Sequence, residues 1–193
     1  MLLESRELLG VGGDRWGLVD PPDGEYNYLR LQNIGGCGIT RNEHKLRCWG
    51  DSEEQGRSIV ESSSESGFVQ GDSGEGFQCA INRENNLSCW GRSDPTDHQV
   101  ESFRFNEDLF DDPTDTPDRE FVKVVAGGNH VCALDEEGGI ECWGYGADGR
   151  TNPPEGKFVD LDAVNRQACA VEVNGDIYCW GALEFEEEWF TCS

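Results

Sequence analysis

Basic residues are scarce in this chain: 15 Lys and Arg stand against 39 Asp and Glu, a formal net charge of −24. Nucleic-acid binding relies on Lys and Arg that neutralise phosphates, so no nucleic-acid partner is expected. An anionic membrane surface would repel the chain as well. No apolar run approaches the length that spans a bilayer, which argues against membrane insertion. The opening MLLESRELLGVGGDRWG carries acids where a signal peptide has its basic region, and its apolar stretches are short. No CxxC pair occurs, so the closely spaced ligand pairs of a structural zinc site are missing. No phosphate-binding Gly loop opens a helix, and no long amphipathic helical pattern is present. Hydrophobic residues make up only 36% of the chain, lean for an unaided core.

What the chain does have is 25 Gly and 9 Cys, and the Cys are patterned. Four times a Cys is followed, ten or eleven positions later, by Cys-Trp-Gly. The units are Cys37 with Cys48-Trp49-Gly50, Cys79 with Cys89-Trp90-Gly91, Cys132 with Cys142-Trp143-Gly144, and Cys169 with Cys179-Trp180-Gly181. A recurring unit of this size marks a propeller, solenoid or array. Each Cys pair brackets a hairpin. If Cys132 faces Cys142, Asp135 faces Gly139 and the loop is Glu136-Glu137-Gly138. A three-residue hairpin loop ends on a left-handed residue, which Gly138 supplies. The same register gives loops ending on Gly175 and on Asn85, while the first unit has one extra residue and a different loop, Arg41 to His44. The Cys pairs then fall at non-hydrogen-bonded sites, where strands approach most closely, near the separation a disulfide needs. The alternatives are eight reduced thiols packed as small apolar groups, or a metal site. Disulfides imply an oxidising compartment, extracellular or the lumen of an organelle.

The whole chain reads as a single repeat domain over residues 1–193. Its repeats run 28–67, 68–120, 121–157 and 158–188, with the tail of a partial repeat at 1–27 and the start of another at 189–193. The four motif Trp are spaced by 41, 53 and 37 residues. The longest spacing holds an acidic insert that also carries Phe103, Phe105, Leu109 and Phe110. Long loops with apolar residues of their own are usually functional or packed on a neighbour. Trp189 and Phe190 stand at the start of the last partial repeat, followed by Cys192, the ninth and unmatched cysteine.

The segment Phe121 to Gly149 runs aromatic-Val, then Ala-Gly-Gly-x-His-x-Cys-Ala-Leu, then Gly-x-Ile-x-Cys-Trp-Gly-x-Gly. It resembles the regulator of chromosome condensation type repeat. Phe158 to Gly181 carries the pattern well and the first two units carry it weakly. The resemblance implies an all-β fold, a β-propeller or partial propeller of four-stranded antiparallel blades, here with cross-strand disulfides. Members typically form seven blades, and this chain supplies about five at most. Known members act mainly by binding: nucleotide exchange on a small GTPase, β-lactamase inhibition, or scaffolding.

Candidate chemistry is thin. Gly71-Asp72-Ser73-Gly74 echoes a protease nucleophile motif, but that mechanism needs a His base and a buried Asp, and the segment aligns with an ordinary inter-strand stretch. His130 shares a strand face with Cys132, and the resemblance implies a structural role for it, its ring hydrogen-bonded within the blade, over that of a metal ligand or base. Asp108, Asp111, Asp112, Asp115 and Asp118 do not match a calcium-hand loop. No catalytic residue, metal or cofactor is therefore expected, and the chain is not expected to be an enzyme. The motif Trp are expected between blades rather than on a sugar-binding face. The expected function is a non-catalytic interaction or structural module, a subunit of a larger assembly. It would bind a protein partner, or itself, through open repeat ends, with Phe103, Phe105, Leu109, Phe110, Trp189 and Phe190 as partner-binding residues. The alternative is a propeller that binds a small ligand or carbohydrate.

Overall fold

A computed structural model describes residues 22–31, 35–50, 66–75, 77–91 and 112–182. Among them are twelve strands in four three-stranded antiparallel sheets. The first sheet is β1 (Tyr26–Leu31), β2 (Gly35–Thr40) and β3 (Leu46–Gly50). The second is β4 (Phe68–Ser73), β5 (Phe77–Asn82) and β6 (Leu87–Gly91). The third is β7 (Lys123–Ala126), β8 (His130–Leu134) and β9 (Ile140–Gly144), and the fourth β10 (Phe158–Val164), β11 (Gln167–Glu172) and β12 (Ile177–Gly181). Strands follow chain order within each sheet, so every sheet is a simple meander. The family resemblance implies four strands per blade, and three are described. After the third sheet, residues 145–157 form a short bridge at Tyr145 and a 3-10 turn at Ala147–Gly149 rather than a fourth strand.

The hairpin register is the one the Cys spacing predicts. Cys37 pairs with Cys48, Cys79 with Cys89, Cys132 with Cys142 and Cys169 with Cys179, with Cα atoms 4.0–4.1 Å apart. All four pairs are disulfides. The turns carry the expected left-handed residues: Asn85 (φ 64°), Gly138 (φ 87°) and Gly175 (φ 95°). The longer first loop closes through a hydrogen bond from Thr40 N–H to Lys45 O and ends on His44, itself left-handed at φ 52°. Few residues other than Gly adopt this conformation, and His, like Asn, is among those enriched in it.

Because side chains alternate across a strand, each sheet has a disulfide face and a tryptophan face. The core lies between sheets, with the disulfide face of one against the tryptophan face of the next. Cys37, Ile39 and Leu46 of the first sheet pack on Phe68, Ala80 and Trp90 of the second. Phe77, Cys79 and Ile81 pack on Phe121, Val124, Ala133 and Trp143 of the third. Val125, Cys132 and Leu134 pack on Phe158, Leu161, Ala170 and Trp180 of the fourth. The small residues are what let the sheets approach this closely. A Cβ on Gly71, for instance, would sit 2.9 Å from Cys79 O and 3.0 Å from a Leu46 methyl.

Candidate functional site

The first strand of each sheet lies innermost, and its free edge would be an invitation to pair with other chains. At β7 that edge is capped by side chains from the preceding sheet. Gln70 of β4 uses both ends of its amide on one residue of β7: its Oε1 accepts the Val124 N–H (2.8 Å) and its Nε2 donates to Val124 O. Asp72 is fully buried, accepting the Ser73 N–H at 2.9 Å through Oδ1 and the Ala126 N–H at 3.0 Å through Oδ2. Arg30 of β1 donates to Ala163 O (3.4 Å) of β10 and forms ion pairs with Asp72 (3.3 Å) and Asp162. Lys123 of β7 pairs with Asp160 of β10, and this bond holds the Asp160 carboxyl below its ordinary range. The inner edge is thus spent on holding sheets together.

Both ends of the stack are stitched by backbone hydrogen bonds. On the hairpin side, the carbonyls of His44, Asn85 and Gly138 accept from the N–H groups of Phe68, Phe121 and Phe158, at 2.9, 3.0 and 2.9 Å. On the opposite side, Glu75 N–H donates to Gly128 O and Gly128 N–H donates to Asn165 O, each at 2.6 Å.

His130 lies at the inner end of β8, fully buried. The sequence reading has its ring hydrogen-bonded; instead, neither ring nitrogen has a hydrogen-bond partner among the described residues. Gly127 crosses the ring so closely that a Cβ there would come within 2.0 Å of it. The register places Gly35, Phe77 and Gln167 at the same slot in the other sheets, so Phe77 under Gly74 shows the slot accepts a plain aromatic ring. Burial, aided by the Arg150 charge, pushes the His130 pKa down to about 4.

Ser73 ends β4, and its Asp72 neighbour is occupied by Arg30 and by backbone, so the protease-like tetrapeptide assembles no catalytic geometry among the described residues. No cluster of three or more metal-ligating side chains occurs among the described residues. Trp49, Trp143 and Trp180 are buried, and the last two donate Nε1–H at 3.0 Å to Pro113 O and Arg150 O. These three serve the packing, while Trp90 is half-buried. Phe103, Phe105, Leu109, Phe110, Trp189, Phe190, Asp108, Asp111 and Cys192 lie outside the described residues.

One surface that sequence reasoning overlooked is the disulfide face of the fourth sheet. On the first three sheets this face is covered, with Cys37, Cys79 and Cys132 at most 1% exposed. On the fourth, Cys179 is exposed, Cys169 and Val171 are half-exposed, and Ile177 is 60% exposed. The signal was present: the alternation that buries Ile39, Ile81 and Leu134 continues through Val171.

The fold is that of repeat β-propellers. Residues 121–150 match the Regulator of chromosome condensation (RCC1) repeat, so that segment carries an RCC1-type repeat. No curated protein matches the chain. Among solved structures, the CRINKLY WD40 ectodomain from the Arabidopsis thaliana receptor kinase ACR4 is 20% identical at TM-score 0.64, over 93% of this chain and 62% of that one. The ectodomain of the Physcomitrella patens receptor kinase CR4 is 20% identical at TM-score 0.67, over 93% and 48%. Yeast RCC1 (Prp20), solved bound to Kap60, is 19% identical at TM-score 0.56, over 83% and 45%. The chain therefore spans roughly half to three-fifths of the structures it resembles.

Proposed function

We propose that this chain is a non-catalytic protein-interaction or structural module, a disulfide-stapled stack of propeller blades that serves as a subunit of a larger extracellular or lumenal assembly. The observation that carries this reading is the contrast between three covered disulfide faces and a fourth that is open. An exposed apolar sheet face next to a sealed inner edge is what an interface offers and a catalytic cleft does not. Four disulfides favour an oxidising compartment. Similar folds occur in plant receptor-kinase ectodomains and in Prp20, seen with Kap60. No helix among the described residues is long and apolar enough to cross a membrane.

The division into repeats at 28–67, 68–120, 121–157 and 158–188 belongs to the same proposal, as do Phe103, Phe105, Leu109, Phe110, Trp189 and Phe190 as contact residues. The test is affinity isolation of the full chain without reductant, beside variants with Phe105 and Phe110 changed to Ala. A stoichiometric protein partner in the wild-type isolate supports the module. Its loss in the variants supports the insert as a contact. A wild-type protein that stays alone sinks the reading.

A further inference from the structure

We infer that Asn86 is an N-glycosylation site, its carboxamide the acceptor for an oligosaccharide carried on a polyprenyl diphosphate. The inference rests on the oxidising-compartment part of the proposed function and adds a modification to it.

Asn86-Leu87-Ser88 is the one stretch of the chain that reads Asn-x-Ser/Thr with x other than proline, the acceptor sequence of asparagine-linked glycosylation. Such a triplet also arises by composition alone, so the fold must present it. Asn86 lies at the end of the β5–β6 hairpin. It follows the left-handed Asn85, immediately precedes β6, and is exposed. Its backbone is engaged: Asn82 N–H donates to Asn86 O at 3.1 Å, and Asn86 N–H donates to Asn82 Oδ1 at 3.0 Å. The carboxamides of two other hairpin asparagines are committed. Asn82 accepts the N–H groups of Glu84 and Asn86 and donates to Glu84 Oε2, while Asn174 accepts the Asp176 N–H and donates to Asp176 Oδ2. The Asn86 carboxamide makes no such bond among the described residues.

Neither end of the triplet is called for by the repeat. The other sheets place Lys45, Gly139 and Asp176 where Asn86 stands, each carbonyl accepting the same hairpin-closing bond. Arg47, Glu141 and Tyr178 stand where Ser88 does, so this position of the third strand takes charged and aromatic side chains alike. Asn86 belongs to none of the apolar clusters between sheets, and a sugar on it displaces no core side chain. The compartment is consistent too: Cys89, next to Ser88, is paired with Cys79, and the oxidising spaces where disulfides form in secreted chains are those where such chains receive sugar on asparagine. In the transfer, Asn86 Nδ2 bonds to the anomeric carbon of the sugar as that carbon's bond to the diphosphate oxygen breaks. The polyprenyl diphosphate leaves, and the proton lost from the amide passes to a base of the transferase. Ser88 supplies the hydroxyl, two residues on, that the transferase reads.

The test is glycopeptide mapping by mass spectrometry of the full chain, isolated from its source cells without reductant. The peptide holding Asn86 is expected to carry a mass increment made of sugar residues, and its fragments to place the first sugar on Asn86. Asn86→Gln and Ser88→Ala, expressed in the same cells, should each lose the increment, whereas Ser88→Thr should retain it. All three variants should keep the four disulfides, which separates loss of the acceptor from loss of the fold. A bare Asn86 in a wild-type chain with its disulfides formed would overturn the inference and leave the oxidising compartment standing. A bare Asn86 in a chain of free thiols would overturn both. An increment that survives Ser88→Ala, or one carried by another residue of the peptide, would also overturn the inference.

Discussion

The carbonyl of Gly138, at the tip of one hairpin, accepts the backbone N–H of Phe158, the first residue of the following sheet, at 2.9 Å. The same bond links His44 to Phe68 and Asn85 to Phe121. A turn that must be left-handed for its own hairpin thereby presents the acceptor that registers the next sheet.

Gly138→Ala and Gly175→Ala separate these two roles. Both force an L side chain into the left-handed region, at roughly 1–2 kcal/mol. Only at Gly138 does the added Cβ run into the Phe158 backbone, which adds the loss of a hydrogen bond, about 1 kcal/mol. Denaturant unfolding should show Gly138→Ala clearly the more destabilising. Equal effects would mean the turn-to-strand bond contributes nothing.

Acid should weaken the fold through His130. Its folded pKa, about 4, lies below the ordinary 6.5. Between those values the unfolded chain binds a proton that the folded chain excludes, so this contribution is intact above pH 6.5 and lost as pH falls toward 4. The full span corresponds to about 3 kcal/mol. His130→Phe, which copies Phe77 at the equivalent slot, should flatten that part of the stability–pH curve. A variant with the wild-type slope would locate the acid sensitivity elsewhere.

Gln70→Ala removes the amide that serves both backbone groups of Val124. Stranding these groups should cost roughly 1–3 kcal/mol, and amide exchange at Val124 should accelerate with it. Unchanged exchange there would show that the inner edge needs no cap.

The four disulfides should not reduce together. Exchange requires a thiolate to reach the sulfur, and Cys179 is exposed where its counterparts Cys48, Cys89 and Cys142 are only half-exposed and their partners Cys37, Cys79 and Cys132 are buried. Under limiting dithiothreitol, mass-mapped alkylation should find Cys169 and Cys179 first, with a loss of about 3 kcal/mol when that loop opens. Early labelling of Cys132 would contradict the covered faces.

How much of this was legible beforehand varies with the kind of interaction. Hairpin registers follow from local rules, so Cys spacing plus a Gly or Asn at the last loop position placed Asp135 opposite Gly139 and set the register of three of the four Cys pairs. The strand alternation that puts Trp between sheets is equally local. The first strand begins at Tyr26, two residues before the Tyr28 that opens the first repeat in the sequence reading, because Tyr26, not Tyr28, fills the buried aromatic position. What stayed hidden depends on contacts far apart in the chain. Gln70 on Val124 spans 54 residues and Arg30 on Ala163 spans 133, and no repeat pattern marks either. His130 was expected to hydrogen-bond because the repeat resemblance implies it. That its ring is shut under Gly127 with neither nitrogen satisfied is a fact of packing. The open fourth face was missed for the opposite reason: its residues look like core, and only the fold shows them exposed among the described residues.

The measurement that bears most directly on the account is the native mass of the full chain isolated without reductant, taken over a range of dilutions. A defined heavier species is predicted, in which this chain is eight hydrogens lighter than its reduced form, matching four disulfides, and a second polypeptide is present in fixed ratio. A lone monomer at every concentration, with the fourth face free, would contradict it.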